Sequence, residues 1–504
     1  MDKKTIGMFV CMLLIAAAVL PAVSAMNKVL YRDIKQLDEI QNQDFVPGEF
    51  IVKFKEKSVL KSRYLVNLFE KHQVSSMENL FKNSENTILE NIYFLKTPKD
   101  SDILSILEDF SSCPDVEYAE PNGVAHPFAI PNDPDFSIQW ALHNTGQIIL
   151  DDISGTPDAD IDASEVWDIE TGDPNVVIAI IDSGIDYNHP DLADNIWVNE
   201  DEIPDNGIDD DNNGYIDDIM GWDIHYDDND PLDGHGHGTL CAGVASAVGN
   251  NNIGISGVCW NCKIMPVKVT SENWLAYWTD IAVGIKYAAD NDADVISMSF
   301  GRNSNLSYVW DAVEYAYGKG VFICAGAGND NTSNMFYPAS YDHVTAVAAT
   351  NQHDKRCDED DWPPGYGSNY GDWVDVAAPG ELIYTTMPTY HAFMNDINNP
   401  NTGQNFSQDY DFCDGTSLSG PHVAGEAALI LSKDSSLSPD EIKSRIRKYV
   451  DPYDSDEYIG TGRINAHKAT KCKAINTQTH HYIQQFPNMF PLLQKLLHNL
   501  GLNL

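Results

Sequence analysis

From Val176 to Ala348, short runs of apolar, largely β-branched residues alternate with stretches of helical periodicity. Runs that are apolar at consecutive positions indicate strands covered on both faces, as in a parallel sheet. The strand runs are Val176–Ile181, Lys263–Val269, Val295–Met298, Val321–Ala325 and Val344–Ala348, and the helical stretches are Thr279–Ala289 and Val309–Tyr317. This alternation predicts an α/β fold of three layers, with helices on both faces of a doubly wound, mainly parallel sheet. Ligands of such folds bind at the carboxyl ends of the strands.

Three glycine-rich segments each carry one of the residue types that serine hydrolases need. Asp182 lies in IIDSGIDYNHPDL, directly after the first strand run, His237 in DGHGHGTLCAG and Ser417 in DGTSLSGPHVAG. A hydroxyl becomes a nucleophile when an imidazole takes its proton and a carboxylate orients that imidazole. The small residues around Ser417 allow a helix to begin at the serine, which puts positive potential where an oxyanion would form. One such motif alone is more often structural, but three in the order Asp, His, Ser favour catalysis.

These segments resemble those of the subtilisin-like serine proteases, the subtilase family, from about Asn132 to Lys471. The resemblance implies a catalytic domain over residues 128–473. It also implies that Ser417 is the nucleophile, that His237 is its general base and that Asp182 orients the base.

The match to the His motif of the family also separates two neighbouring histidines. His235 is expected to be a loop residue and not the base. Cys241 follows the motif as in the proteinase K branch, which implies a buried free thiol beneath the catalytic imidazole. The chain departs from the family pattern at Leu240, where a second histidine is usual, and at Gly420, which follows the nucleophile by three residues.

The resemblance further assigns the groups that would surround the scissile bond. Asn329, in CAGAGND, resembles the side-chain donor of the family's oxyanion hole, which acts with the Ser417 backbone N–H. Two segments resemble the strand that pairs with an extended substrate and the walls of the pocket for the residue before the scissile bond (P1). These segments are Ser299, Phe300, Gly301 and Gly326, Ala327, Gly328. Their small residues are expected to leave room for a large apolar P1 side chain.

Two structural calcium sites are expected, because Ca²⁺ prefers carboxylate, amide and carbonyl oxygens. The first resembles the tight site of the family, with ligands Asp133, Asp191, Gly249, Asn251, Ile253 and Ile255. The second lies in the insert NGIDDDNNGYIDD, where EF-hand-like spacing selects Asp209, Asp211, Asn213 and Asp217. The closing glutamate of an EF-hand is absent, since Met220 stands there, and a solvated acidic loop is the alternative for this insert.

The first 127 residues are expected to be removed from the mature protein. Residues 1–25 have the charged start, apolar core and small-residue end of a secretory signal. Residues 26–127 have the strand and helix patterns of a small α+β domain, over Pro47–Phe54, Tyr64–Gln73, Ile88–Leu95, Ser101–Phe110 and Val116–Ala119. Its position and its VEYAEPN ending resemble the inhibitory propeptide of subtilases, although an unrelated N-terminal domain is the alternative.

Charge limits the partners of this chain. With 76 acidic against 31 basic residues, the net charge is −45, which argues against nucleic acid and anionic membranes. No stretch after the signal is long enough to span a bilayer. The tail 474–504 carries a short amphipathic apolar segment, Phe490–Leu500, which is expected to pack on protein. A monomer that acts on polypeptides, with its own propeptide as inhibitor, is expected.

The chain has nine cysteines. A disulfide is favoured for Cys259 and Cys262 over half of a zinc site, because no second CxxC pair exists. The family resemblance places Cys357 and Cys413 near each other, so that their pairing is a hypothesis. Cys241 and Cys324 are expected to be buried thiols.

The sequence therefore predicts a secreted, calcium-stabilised serine endopeptidase that is made as a proenzyme and needs no redox or organic cofactor. A peptide-binding protein on an inactive protease fold is the alternative from another class. An esterase is a further alternative, since the same three residues also cleave esters.

Overall fold

The structure, a computed structural model, describes residues 45–56, 62–81, 87–123, 129–396 and 406–471. The predicted signal, the first residues of the Pro-rich linker predicted over Pro127–Pro134, and the tail with its apolar segment lie outside these residues. The described residues fall into two compact units, one on each side of residues 124–128. Within them, no helix combines the length and the apolar character that a membrane crossing requires.

The first unit is a four-stranded antiparallel sheet with two helices. Its elements are β1 (Phe45–Phe54), α1 (Arg63–Lys71), β2 (Ser76–Asn79), β3 (Ile92–Lys96), α2 (Ile103–Ser111) and β4 (Val116–Gly123), and its strand order is β2-β3-β1-β4. Alternate residues of β1 are buried, so that Phe50, Val52 and Phe54 meet Phe110 of α2 in one core. This is the predicted α+β unit. The strand predicted from Ile88 begins only at Ile92, because a turn precedes it.

The second unit is built on a nine-stranded sheet. Its first elements are β5 (Ile148–Leu150), β6 (Ile153–Ser154), α3 (Ala163–Val166), β7 (Val177–Asp182), β8 (Trp222–Asp223), α4 (His237–Ser246), β9 (Lys263–Lys268), α5 (Trp278–Asp290), β10 (Val295–Met298), α6 (Ser307–Gly318) and β11 (Phe322–Gly326). The later ones are β12 (Val344–Thr350), β13 (Val376–Pro379), β14 (Ile383–Thr386), β15 (Tyr410–Cys413), α7 (Thr416–Lys433), α8 (Pro439–Lys448), β16 (Val450–Asp451), β17 (Arg463–Ile464) and α9 (Ala466–Lys471). All five predicted strands and both predicted helices are present within two residues of their expected bounds.

The large sheet is parallel except at one edge and is covered by helices on both faces. Its order is β16-β17-β13-β12-β11-β10-β7-β9-β8, and only β16 and β17 pair antiparallel. Ile178 and Ile180 of β7 share a core with α4 and α7, whereas Ala179 and Ile181 share one with α5 and α6. Both faces of the strand are therefore apolar, which is why its sequence does not alternate.

The strand order reverses direction beside β7. The chain runs from β7 to β9 on one side and then crosses to β10 on the other side. Connections leave the sheet in opposite directions at such a point, and a crevice opens at the carboxyl ends of the two strands. Asp182 is the last residue of β7, and Ser299 directly follows β10.

Helix α7 packs closely on α4 because glycine stands at the contact. A Cβ on Gly425 would lie 2.5 Å from the Cβ of Val258 and 2.8 Å from the carbonyl oxygen of Ala245. The next residue, Glu426, is fully buried, and neither of its carboxylate oxygens has a hydrogen-bond partner among the described residues. Burial raises the pKa of Glu426 well above its usual value.

We expect Glu426→Leu to stabilise the protein more at pH 8 than at pH 4. An unfolded glutamate ionises near pH 4.3, whereas Glu426 in the folded state keeps its proton to a much higher pH. The folded state thus binds more protons, and stability falls as pH rises above about 4.3. Removing the unpartnered group should raise the free energy of unfolding by about 1–3 kcal/mol at pH 8. Urea unfolding of the two proteins at both pH values measures this, with the exposed Glu359→Leu as control. An equal effect at the two pH values would contradict the assignment.

Candidate active site

The carboxyl end of β7 and the start of α4 bring Asp182 and His237 together. Nδ1 of His237 lies 2.9 and 3.0 Å from the two carboxylate oxygens of Asp182. A Cβ on Gly238 would lie 2.0 Å from the carbonyl oxygen of Gly184, so that only glycine lets the helix begin this close to the strand end. Asp182 is buried and the imidazole is mostly buried.

Two opposing effects set the pKa of His237. Burial disfavours the imidazolium, whereas the adjacent Asp182 carboxylate favours it. The carboxylate prevails and raises the pKa of His237 well above the usual 6.5. Because Nδ1 faces Asp182, Nε2 is the nitrogen that remains to accept a proton from another group.

A second buried carboxylate, Asp233, holds the start of α4 in place. Its oxygens accept hydrogen bonds from the hydroxyl of Ser183 at 2.9 Å, from the N–H of Gly236 at 2.7 Å, and from the N–H and hydroxyl of Thr239 at 2.9 and 2.7 Å. Ser183 directly follows Asp182, so that Asp233 connects the strand end to the helix that begins with His237. The sequence interpretation missed this residue, because it lies four residues before the helix and the N-cap position itself is Gly236.

The sulfur of Cys241 lies among the three predicted catalytic residues. It is 3.9 Å from Nδ1 of His237, 3.9 Å from Oδ2 of Asp182 and 3.4 Å from the carbonyl oxygen of Ser417. That carbonyl is available because Pro421, four residues later, has no N–H to donate. The Ser299 hydroxyl also donates to it, at 3.0 Å. Burial raises the pKa of Cys241, which keeps the thiol neutral.

Ser417 is the second residue of α7, where backbone N–H groups have no partner within the helix. Its hydroxyl donates to the carbonyl oxygen of Ser299 at 3.4 Å. Oδ1 of Asn329 accepts hydrogen bonds from the N–H and hydroxyl of Thr416, at 3.0 and 2.8 Å. These bonds fix the carboxamide and leave its Nδ2 as a donor beside the start of the helix. Asn329 and Ser417 are thus brought together by Thr416.

The two predicted substrate-binding segments follow neighbouring parallel strands. Ser299–Gly301 follows β10, and Gly326–Gly328 continues from β11. A Cβ on Gly301 would lie 2.2 Å from the ring of Phe336, and a Cβ on Gly328 would lie 2.9 Å from the same ring. The sequence-based expectation of room for a large P1 side chain did not include this ring.

Trp274 packs against His237, and further aromatic rings pack around the neighbouring His235. The ring of Trp274 meets the imidazole edge-on with centroids 4.4 Å apart, and His235 lies 4.7 Å from Trp274 and 5.2 Å from Phe393. Burial, and then the neighbouring His237, lower the pKa of His235 to about 4. His235 is therefore neutral and belongs to the wall of the site. Sequence periodicity gives no signal for Trp274, which lies in a loop.

The residues predicted for the first calcium site lie around the loop 249–255. Asp191 is buried and accepts hydrogen bonds from the side-chain amide of Asn251 at 2.7 Å and from the N–H of Ile255 at 2.8 Å. Asp133 accepts from the N–H of Asn250 at 2.7 Å and of Asn251 at 2.9 Å. Burial raises the pKa of Asp191 to about 6. Two neighbouring carboxylates with only hydrogen-bond donors around them fit a Ca²⁺ site.

The four residues predicted for the second calcium site take part in the turns of the acidic insert. Asp209 accepts a hydrogen bond from the N–H of Gly214 at 3.0 Å, and Asp217 accepts one from the N–H of Gly207 at 2.9 Å. Both carboxylates thus close turns of the loop. Asp209 and Asp211 also accept hydrogen bonds from the N–H of Asn213, at 3.0 and 2.9 Å, so that these three predicted ligands lie in one turn.

A different set of carboxylates meets in the same insert. Glu202, Asp211 and Asp218 each place one carboxylate oxygen within 4.8 Å of the others. Glu202 is 95% buried, since its exposure is 5%, and its Oε2 has no hydrogen-bond partner among the described residues. Asn213 donates to Asp211 at 3.0 Å and to Asp218 at 3.1 Å, which ties the predicted loop to this cluster. Three carboxylates, one of them with an unpartnered oxygen, make this set a candidate for an oxygen-coordinated cation.

The cysteines behave as expected with one exception. Cys259 and Cys262 form a disulfide, and Cys241 and Cys324 are buried free thiols. Cys357 and Cys413 are also free thiols, so that the hypothesis of their pairing is wrong for this structure. Carboxylates beside them add to burial in raising the pKa of both thiols. Cys472 lies outside the described residues.

Comparison with known families identifies both parts of the chain. Residues 173–462 match the Subtilase family (Peptidase_S8), and residues 32–122 match the fervidolysin N-terminal prodomain. The chain belongs to the subtilase family. It is a subtilisin-like serine protease with an N-terminal prodomain, which indicates a proenzyme. The predicted family, fold class and enzyme class are thereby confirmed.

Individual relatives agree with this classification. The chain is 32% identical over 427 residues to a thermophilic serine proteinase of Bacillus sp. (strain AK1), covering 84% of this chain and 88% of that protein. It is 37% identical over 312 residues to thermitase of Thermoactinomyces vulgaris, covering 62% of this chain and 94% of that protein. A solved protease structure from Pseudoalteromonas arctica matches with a TM-score of 0.54 and 28% identity, over 68% of this chain and 99% of that one.

The pair of Asp182 and His237 predicts a characteristic pH profile. A base must be unprotonated to act, so that kcat/KM falls as pH drops below the pKa of His237. That pKa is raised, so that the fall of kcat/KM on the acid side of the profile, its acid limb, lies above pH 6.5. We expect Asp182→Asn to move the limb to lower pH and to reduce kcat by about 10⁴-fold.

The matched control is Asp280→Asn, which removes the carboxylate from another pair, Asp280 and His225, at 3.0 Å. This control should keep the parent profile when peptide hydrolysis is measured from pH 5 to 9. An acid limb that stays in place in Asp182→Asn would mean that Asp182 does not set the pKa of the base.

Proposed function

We propose that this protein is a secreted, calcium-stabilised serine endopeptidase that matures by cutting its own precursor. The single observation that carries the catalytic part is the contact of the buried Asp182 carboxylate with Nδ1 of His237, at 2.9 Å. This contact fixes the tautomer in which Nε2 accepts a proton. The subtilase family membership supplies the reaction class, which is hydrolysis of peptide bonds.

In the proposed reaction, the hydroxyl oxygen of Ser417 attacks the scissile carbonyl carbon and His237 takes the hydroxyl proton at Nε2. The imidazolium that forms is stabilised by Asp182. As the tetrahedral intermediate collapses, His237 gives this proton to the leaving amine and an acyl-enzyme on Ser417 remains. Water, deprotonated by the same imidazole, then releases the second product.

The negative charge on the carbonyl oxygen needs donors that are already in place. The backbone N–H of Ser417 lies at the start of α7, where the helix dipole also favours negative charge. Nδ2 of Asn329 is the second proposed donor, because Thr416 occupies the carboxamide oxygen from the other side. Donors fixed before the reaction stabilise the transition state more than the substrate.

The prodomain and the signal segment support export of an inactive precursor. The first compact unit has its own core, and its sequence matches a protease prodomain. Residues 1–25 have the composition of a secretory signal. The Cys259–Cys262 disulfide is consistent with an oxidising compartment. We therefore propose that the protein folds after export and is then processed within the linker at about residues 127–134.

Replacement of Ser417 tests both catalysis and processing. Ser417→Ala should abolish peptide hydrolysis and labelling by an active-serine phosphonate, and the purified precursor should stay at full length. Mass spectrometry of the intact protein reads both termini and the probe adduct. Ser333→Ala, at an exposed serine, should be labelled and processed like the parent. Processing of pure Ser417→Ala without added protease would refute self-cleavage, and residual full activity would refute the nucleophile.

For calcium, we propose one ion at Asp191 and Asn251 and a second at Glu202, Asp211 and Asp218. The support is electrostatic, since buried carboxylates without cationic partners are costly unless a cation compensates them. Among the described residues, no lysine or arginine forms an ion pair with Glu202 or Asp191. Bound calcium would stabilise the folded state, because the unfolded chain does not hold these oxygens together.

Calcium titration of the inactive Ser417→Ala protein separates the two sites. Asp191→Asn and Glu202→Gln should each remove one bound ion, and each should lower the melting temperature in excess calcium. Asp209→Asn is the matched control in the insert and should keep both ions. Loss of an ion in Asp209→Asn but not in Glu202→Gln would restore the ligand set that the sequence predicted. An unchanged melting temperature after chelation in the parent would rule out structural calcium altogether.

A further inference from the structure

The segments Ser299–Gly301 and Gly326–Gly328 leave the sheet directly beside the proposed nucleophile, and the space between them is called the slot below. Met298 and Ala325 are paired in the sheet, so that the two segments leave it side by side. The hydroxyl of Ser417 reaches the carbonyl oxygen of Ser299 at 3.4 Å. On the other side, a Cβ on Gly326 would lie 2.7 Å from the carbonyl oxygen of Thr416. Both walls of the slot thus contact the first residues of α7.

The ring of Phe336 lies in this slot. A Cβ on Gly301 would be 2.2 and 2.5 Å from two carbons of the ring, and a Cβ on Gly328 would be 2.9 and 3.0 Å from the same two carbons. A side chain at either position would displace the ring. The two glycines, one on each wall, therefore leave the space that the ring of Phe336 occupies. The ring is partly buried.

The backbone around Phe336 fixes the ring against the first wall. The N–H of Phe336 donates to the hydroxyl of Ser340 at 3.0 Å. The next residue, Tyr337, exchanges two backbone hydrogen bonds with Arg302, at 2.9 and 2.7 Å. Since Arg302 directly follows Gly301, the segment that carries Phe336 is paired with the segment that forms the wall. The position of the ring is therefore set by the backbone pairing and not by the rotamer of the side chain alone.

We propose that Phe336 forms the floor of the P1 pocket and limits the enzyme to substrates with small P1 side chains, of the size of alanine or serine. This inference rests on the proposed function. A substrate that lies extended along Ser299–Gly301 presents its reacting carbonyl to Ser417, and the side chain of the same residue enters the slot. A benzyl or isobutyl group would need volume that the ring of Phe336 already fills, and packed interiors do not accept such overlap.

The test is the ratio of kcat/KM for fluorogenic peptides that are identical except for alanine, leucine or phenylalanine at P1. The parent should prefer alanine to phenylalanine by at least about tenfold, since even one methylene changes specificity by roughly 10–200-fold. Phe336→Ala should reverse the order, because it opens the slot between the two glycines. Met335→Ala is the matched control, since Met335 is the exposed neighbour of Phe336 and its removal should leave the parent ratio unchanged.

Each outcome decides the inference. A parent that prefers phenylalanine or leucine at P1 would overturn it, as would a Phe336→Ala enzyme whose ratio equals that of the parent. If Phe336→Ala does not fold, the P1 preference of the parent still tests the inference. The smaller change Phe336→Val should then shift the kcat/KM ratio in the same direction. A parent that cleaves none of the peptides and does not react with the phosphonate would refute the proposed function and the inference with it. Phosphonate labelling with the wrong P1 preference would refute only the role of Phe336.

Discussion

The buried hydrogen bond between Asp182 and His237 depends on most of the second unit. An ionised carboxylate and an imidazole interact strongly only where water is excluded. Exclusion of water requires helices on both faces of the sheet, and the contact itself requires the reversal of strand order that opens a crevice at the end of β7. The bonds of Asp233 to Ser183 and Thr239 then hold strand end and helix start in one position. Without any of these parts, the pKa of His237 would return toward that of an exposed ring.

Much of this arrangement was predictable because it is encoded locally. The β-branched runs predicted β7, β9, β10, β11 and β12, since a strand buried on both faces must be apolar at consecutive positions. The glycine-rich motifs predicted which loops carry Asp182, His237 and Ser417, because only small residues allow the close approaches seen at Gly238 and Gly425. The ring of Phe336 beside the predicted P1 segments was not foreseen, because it comes from a segment with no motif. Its contact with Gly301 depends on a backbone pairing that sequence spacing does not reveal.

The acidic insert shows the same limit in another form. Ligand spacing predicts a metal site only when the loop has the conformation of the reference motif. Here the carboxylates of Asp209 and Asp217 accept hydrogen bonds from backbone N–H groups and shape the turns. Glu202, which lies outside the expected loop, has an unpartnered carboxylate oxygen and clusters with Asp211 and Asp218. The types of residue in the insert were informative, whereas the contribution of Glu202 could not be found from spacing within the loop.

The acidic composition of the chain therefore has two distinct physical effects. Exposed carboxylates repel one another and keep the protein soluble, and they act against the compact state. The effect of a buried carboxylate on stability depends on which groups hydrogen-bond to it. Asp233 is satisfied by several N–H and O–H donors, whereas Glu202 and Glu426 retain oxygens without a partner. A proton can neutralise Glu426, whose pKa is raised by burial, but at Glu202 two further carboxylates are close by. Where three acidic groups share one site, a divalent cation compensates more charge than a single proton.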